Sequence, residues 1–137
     1  QLIRTWHIKN GAKQGEEIEY YISPKKSSKP SPKLSINWFD NKIQGIVKTW
    51  YPNGILESQR EMSQNTKNGI ATAWYKDGTL MLIEEYDRNK LIRGEYYRKG
   101  EKKPISLIVK GKGLATLFDA DGNFVRKVTY MSGMPLD

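Results

Sequence analysis

The chain has 137 residues, no cysteine, one histidine, a hydrophobic fraction of 37% and a net charge of +8. That is one domain's worth of protein with a modest core. It excludes disulfides, thiolate metal sites and a cysteine nucleophile, leaves any histidine chemistry to His7 alone, and favours anionic partners.

In chain order, residues 1–9 read as the returning strand of an earlier hairpin, with Trp6 or His7 near the position that Tyr86 holds later. An extension or leader before Gln1 is therefore expected. A phrase then begins at Gly15: a glycine, four residues, an aromatic. This first copy runs from Tyr20 into a stretch rich in Pro, Ser and Lys, read as an exposed excursion over 22–34. The complete phrase, ending on a second glycine, follows as Gly45–Trp50–Gly54, Gly69–Trp74–Gly78 and Gly113–Phe118–Gly122. Gly45 and Gly69 lie 24 residues apart, a period that marks a repeat array.

Each phrase predicts half of a β-hairpin. The alternation and β-branching of Ile46–Trp50 suit a strand, and the Asn-Gly and Asp-Gly pairs favour positive backbone angles in a tight turn. Leu56, Leu80 and Phe124 stand two positions past the glycine, and Met62, Tyr86 and Tyr130 eight positions past it. Both offsets are even, which predicts one shared face. Connectors opening on Asn10, Asn41, Asn65 and Asn89 lead to the next glycine, where a further reversal is expected. The fourth copy, Gly94 to Gly100, lacks three residues before its aromatic pair. Its outgoing strand should be short and its apolar return, Ile105–Val109, well covered. The tail Tyr130–Gly133 reads as a connector, with Pro135 opposing another paired strand and the C-terminus natural.

The predicted fold is all-β: an elongated, twisted, single-layer antiparallel meander of stacked hairpins, about ten strands and on the order of 45–50 Å long. It forms a single domain over 1–137, with repeats at 10–44, 45–68, 69–93, 94–112 and 113–137 and a basic loop at 22–34.

The aromatics Tyr20, Trp50, Trp74, Tyr96 and Phe118 hold equivalent or near-equivalent positions and should stack along one face. Two uses compete: the sheet's own packing layer, or a groove for an extended peptide or a partner's helix. Lys25, Lys26, Lys29 and Lys33 in the first-copy loop form one candidate anion-contact cluster, and Arg98, Lys99, Lys102 and Lys103 another. The loop's Ser-Pro-Lys motifs resemble DNA-binding tails, whose lysines contact phosphates without reading bases. Asp119 and Asp121 start like a calcium loop but lack the third acid and the distal glutamate. Lys110–Gly113 is basic and glycine-rich without the Gly-Lys-Ser/Thr of a phosphate loop. Glu16, Glu17 and Glu19, or Glu84 and Glu85, could supply paired carboxylates, but neighbours in sequence point to opposite strand faces, and an exposed face normally carries such glutamates. No catalytic residue, metal ligand or cofactor motif is assigned.

These phrases resemble the MORN repeat, in the variant form common in bacteria; the matching stretches are Gly45–Gly54, Gly69–Gly78, Glu95–Gly100 and Leu117–Gly122. The resemblance spans roughly residues 10–133 apart from the basic loop. It implies an elongated sheet of stacked hairpins serving as a scaffold, a protein-interaction module or a membrane-lipid binder, and bacterial members often carry an antitoxin-like label. The expected function is non-catalytic binding of another protein through an aromatic sheet face or an edge strand, with self-association through edge strands a second route. The alternative is electrostatic binding of anionic lipid or nucleic acid through the lysine clusters.

Overall fold

A computed structural model describes residues 2–9, 11–22 and 30–136, the first of these segments by strand path and pairing alone. Thirteen strands follow one another with no helix among the described residues. They are β1 (Leu2–Lys9), β2 (Ala12–Tyr21), β3 (Ser31–Phe39), β4 (Lys42–Ile43), β5 (Gly45–Trp50), β6 (Leu56–Ser63) and β7 (Thr66–Trp74). The remainder are β8 (Leu80–Asp87), β9 (Lys90–Tyr96), β10 (Ser106–Val109), β11 (Lys112–Phe118), β12 (Phe124–Met131) and β13 (Met134–Pro135). All lie in one open antiparallel sheet in chain order, with β4 beside β3 alone. The predicted meander is the fold, with more strands than expected because short β4 and β13 add to the long ones.

Two turn types alternate, one along each border of the ribbon. On one border, Gly54 N donates to Tyr51 O at 3.0 Å and Tyr51 N to Ile55 O at 2.9 Å. The same bonds recur around Gly78 and Gly122. Only the glycines there have positive φ, which makes these three-residue loops closed by a glycine bulge. The preceding Asn53 and Asp77 act instead through their side chains, accepting from Ile55 N and Thr79 N. On the other border the reversal is the asparagine itself. The pairs Asp40-Asn41 (φ 51, 67), Gln64-Asn65 (48, 68) and Arg88-Asn89 (47, 71) put both residues at positive φ, the two-residue I′ hairpin. The glycine that follows, such as Gly69, lies inside a strand rather than at a turn.

Register corrects the predicted faces. Trp50 pairs with Leu56 while Thr49 pairs with Ser58, so Glu57 is an extra residue bulged out of β6. Met81 in β8 and Val125 in β12 are bulged in the same way. One inserted residue inverts alternation, because the side-chain period is two. Leu56, Leu80 and Phe124 therefore share a face with Trp50, Trp74 and Phe118, whereas Met62, Tyr86 and Tyr130 lie opposite Gly45, Gly69 and Gly113 on the other face. That second, inner face holds the core: Leu91, Tyr96, Ile108, Ala115 and Val128, flanked by Leu82, Tyr86, Leu117 and Tyr130.

A single sheet without helices buries Leu91, Tyr96 and Ile108 completely only if it curls. The short fourth copy permits this. With β10 cut to four residues, the turn after β11 swings back to the turn after β7. There Lys76 N donates to Ala120 O at 3.2 Å, Lys76 pairs with Asp121 at 3.2 Å, and Tyr75 meets Phe118 edge-on at 6.4 Å.

Other expectations are amended. β3 begins at Ser31, so the strand takes in Pro32, Lys33 and Leu34 from the predicted loop, with Lys33 bulged and Pro32 tolerated beside it. Lys25, Lys26 and Lys29 lie outside the described residues. The pairing of β1 places Ile8, not Trp6 or His7, at the equivalent of Tyr86. The return strand β10 buries Ile108 alone; Leu107 and Val109 stay exposed because the sheet covers only one of its faces. Pro135 does enter a paired strand. Leu136 N donates to Thr129 O, so the proline nitrogen next to it points away from β12 and no donor is missed.

Candidate binding face

Parity decides which predicted aromatics stand together. In the regular copies the aromatic lies five residues past a glycine whose side of the sheet is the inner one, and an odd offset sends it to the outer face. Tyr20, Trp50, Trp74 and Phe118 are therefore brought to one face, each half-buried. Tyr96 is not with them. Loss of an odd number of residues from the fourth copy flips its parity, and it is wholly buried in the inner core, where Gly94 leaves the space its ring occupies.

The next tyrosine, Tyr97, takes the vacated place in a ladder that sequence reasoning did not anticipate. Tyr21 Oη donates to Trp50 O at 2.7 Å, Tyr51 Oη to Trp74 O at 2.6 Å, and Tyr75 Oη to Tyr97 O at 2.6 Å. Each phenol reaches the next repeat's backbone just where its aromatic sits. Tyr51 and Tyr75 are buried, and desolvation pushes both phenols up to about 12. The opposite border carries a matching asparagine ladder. Asn41, Asn65 and Asn89 accept through Oδ1 from the backbone N of Lys13, Ile43 and Lys67, each at 2.7 Å. The two ladders hold neighbouring repeats in register, which fixes the outer aromatics relative to one another.

Three clefts open along the sheet: the first and third lie on the outer face, and the second, which Thr49, Ser58 and Ala73 also line, lies on the inner side. The first, about 460 Å³, lies across β2, β3 and β5, with Tyr20, Trp50 and Ile46 as its apolar surface and Glu16 and Lys48 as charges. A second, about 340 Å³, is bounded by Tyr51, Trp74, Met81 and Phe118. The third, about 610 Å³, lies between the loop after β9 and the outer side of β11 and β12. Phe118 and Phe124 form its apolar wall, edge to face at 6.3 Å, and Arg98, Lys99, Lys127 and Glu101 carry its charge. Phe124 and Lys127 were not anticipated as site residues. The visible signal was an aromatic at a position where the other copies carry leucine.

The anion-contact candidates divide likewise. Arg98 and Lys99 line the third cleft, and Lys102 stands beside Thr79 and Tyr97 on the other side of the same loop. Lys103 is exposed nearby. Lys99 donates to Asp121 O at 3.4 Å. Lys33 is apart from this cluster, with its ammonium 5.5 Å from the Tyr21 ring centroid.

Acid–base groups are tied up in structure. Glu84 accepts from Tyr86 and Tyr96 on the inner face, and burial, reinforced by that carboxylate, raises both phenols far above their ordinary range. Glu85 lies on the other face, paired with Arg93 at 3.1 Å. Asp119 is held below its usual range chiefly by the Asn123 backbone N–H, which makes it a turn residue rather than a cation ligand. Among the described residues no group of three or more His, Asp or Glu could hold a metal ion.

No curated protein and no solved structure matches the chain. The family model of the MORN repeat variant matches residues 43–64, which hold the Gly45–Gly54 phrase and the whole of β5 and β6. Over that stretch the chain is similar to the MORN repeat variant.

Proposed function

We propose that the chain is a non-catalytic binding module whose protein-binding surface is the outer face of the sheet. One observation carries this reading: four aromatics from four repeats emerge half-buried on that face, two of them on the first cleft and one, Phe118, on the third. Rings held by neighbouring backbone yet open on one side lose little freedom when covered, and Trp and Tyr dominate interface energetics for that reason. The inner face, by contrast, carries the core.

The test is a panel of extended peptides screened against the chain and its Trp50→Ala and Trp74→Ala variants. Ligands of the outer face should weaken by about tenfold or more with either variant, while the thermal midpoint stays within a few degrees. Binders indifferent to both substitutions would remove the aromatic face from the account.

Arg98, Lys99, Lys102 and Lys103 favour a second reading, electrostatic attachment to anionic lipid or nucleic acid, because among the described residues Arg98, Lys102 and Lys103 form no ion pair with an acidic side chain. Salt separates the two. A phosphate-based complex should fall steeply between low and moderate ionic strength, and an aromatic one should persist.

A further inference from the structure

The third cleft differs from the other two in its charge. Arg98, Lys99 and Lys127 stand around it against one carboxylate, Glu101, and neither Arg98 nor Lys127 has an acidic partner among the described residues. Its apolar wall is equally unfinished. Phe124 is 59% exposed, although it is edge-on to Phe118 and leaves one face open to a third ring. At about 610 Å³ the cleft falls within the roughly 300–1,000 Å³ of sites that enclose a ligand of moderate size. That is room for a bulky side chain and its neighbours.

We propose that this cleft receives an aromatic side chain flanked by carboxylates, presented by an extended acidic segment of a partner protein. The proposal deepens the binding-module reading by assigning one end of the outer face a partner chemistry. The ring would pack on Phe118 and Phe124, and the flanking carboxylates would meet Arg98 and Lys127, where arginine can bind bidentately. Two features favour peptide over nucleic acid. Lys127 lies on β12, whose outer edge has no strand beside it before Thr129 among the described residues, so its backbone can pair with an extended chain. Glu101 sits among the cations, where it would repel a continuous phosphate backbone.

The experiment is fluorescence anisotropy at low salt with a labelled short peptide carrying tryptophan between two acidic pairs. Three probes accompany it: the same peptide with alanine for tryptophan, one with lysines for the acids, and a short single-stranded DNA. The acidic tryptophan peptide should bind, with the alanine and lysine versions at least about tenfold weaker. Lys127→Glu and Phe124→Ser, both at exposed positions, should each weaken it by a similar factor with the thermal midpoint held. Lys42→Glu, the same charge change on distant β4, and Trp50→Ala, in the first cleft, should leave it within about twofold. Retained peptide binding therefore supports this cleft whatever becomes of the Trp50 face. The proposal is overturned by absent peptide binding, by an equal loss with Lys42→Glu, by indifference to the tryptophan, or by DNA binding that is tighter and equally sensitive to Lys127→Glu.

Discussion

Replacing Tyr75 by phenylalanine isolates one rung of the tyrosine ladder. The ring stays, so apolar burial and the contact with Phe118 largely cancel between the two proteins. What disappears is the 2.6 Å bond from Tyr75 Oη to Tyr97 O. Tyr75 is fully buried and Tyr97 is 8% exposed, so no water readily replaces the lost donor. Loss of the net bond together with an orphaned carbonyl should destabilise the chain by about 1–3 kcal/mol. At about 4 °C per kcal/mol for a domain of this size, the thermal midpoint should drop by about 4–12 °C. Tyr21→Phe removes the same bond at a half-buried site. Water can substitute there, and the loss should be about 0.5–1 kcal/mol, or about 2–4 °C. Tyr51→Phe should fall between them. Calorimetry and urea unfolding followed by tryptophan fluorescence would measure all three. Equal losses at Tyr21 and Tyr75, or a neutral Tyr75→Phe, would show that burial does not set the strength of the rungs.

The same ladder makes stability depend on alkaline pH. The Tyr51 and Tyr75 phenols are raised to about 12 against an ordinary 10, so their contribution is complete below pH 10 and is lost as pH rises from there through about 12. The urea midpoint should decline over that window, less steeply in Tyr75→Phe. On the other border, Asn65→Ala loses both an αL-tolerant residue at φ 68 and the bond to Ile43 N, for about 1–2 kcal/mol; Asn65→Gly keeps the turn, so faster amide exchange at Ile43 in that variant would isolate the side chain. Gly113→Ala should prevent folding of the C-terminal hairpins, since the added carbon would lie 2.2 Å from Leu107 O. Gly54→Ala meets open space at φ 88 and should cost only about 1 kcal/mol of backbone strain, so comparing the expression and melting of the two variants checks this.

Strand positions and order were legible because glycine and aromatic recur at a fixed period, and the strand bounds Gly45–Trp50 and the starts at Leu56, Leu80 and Phe124 follow that pattern. Faces were less legible. Glu57, Met81 and Val125 are bulged without sharing charge, size or branching, so nothing in their chemistry announces the lost parity. The ladders escaped notice for a different reason. Tyr51 and Asn65 were in plain view, but their partners are backbone groups of another repeat, which carry no side-chain signature. Tyr97 became the relevant aromatic of the fourth copy only because a short deletion moved Tyr96 inward.

Both ladders join each repeat to its immediate neighbour: Asn65 reaches back 22 residues and Tyr51 forward 23. Copying one such unit within the array would recreate the same pairings on both borders without disturbing any already made. Chain length can therefore change by tandem duplication, as it cannot in a protein whose core closes on itself. Among the described residues, growth is obstructed near the C-terminal end, where Lys76 grips the turn at Ala120 across the shortened copy.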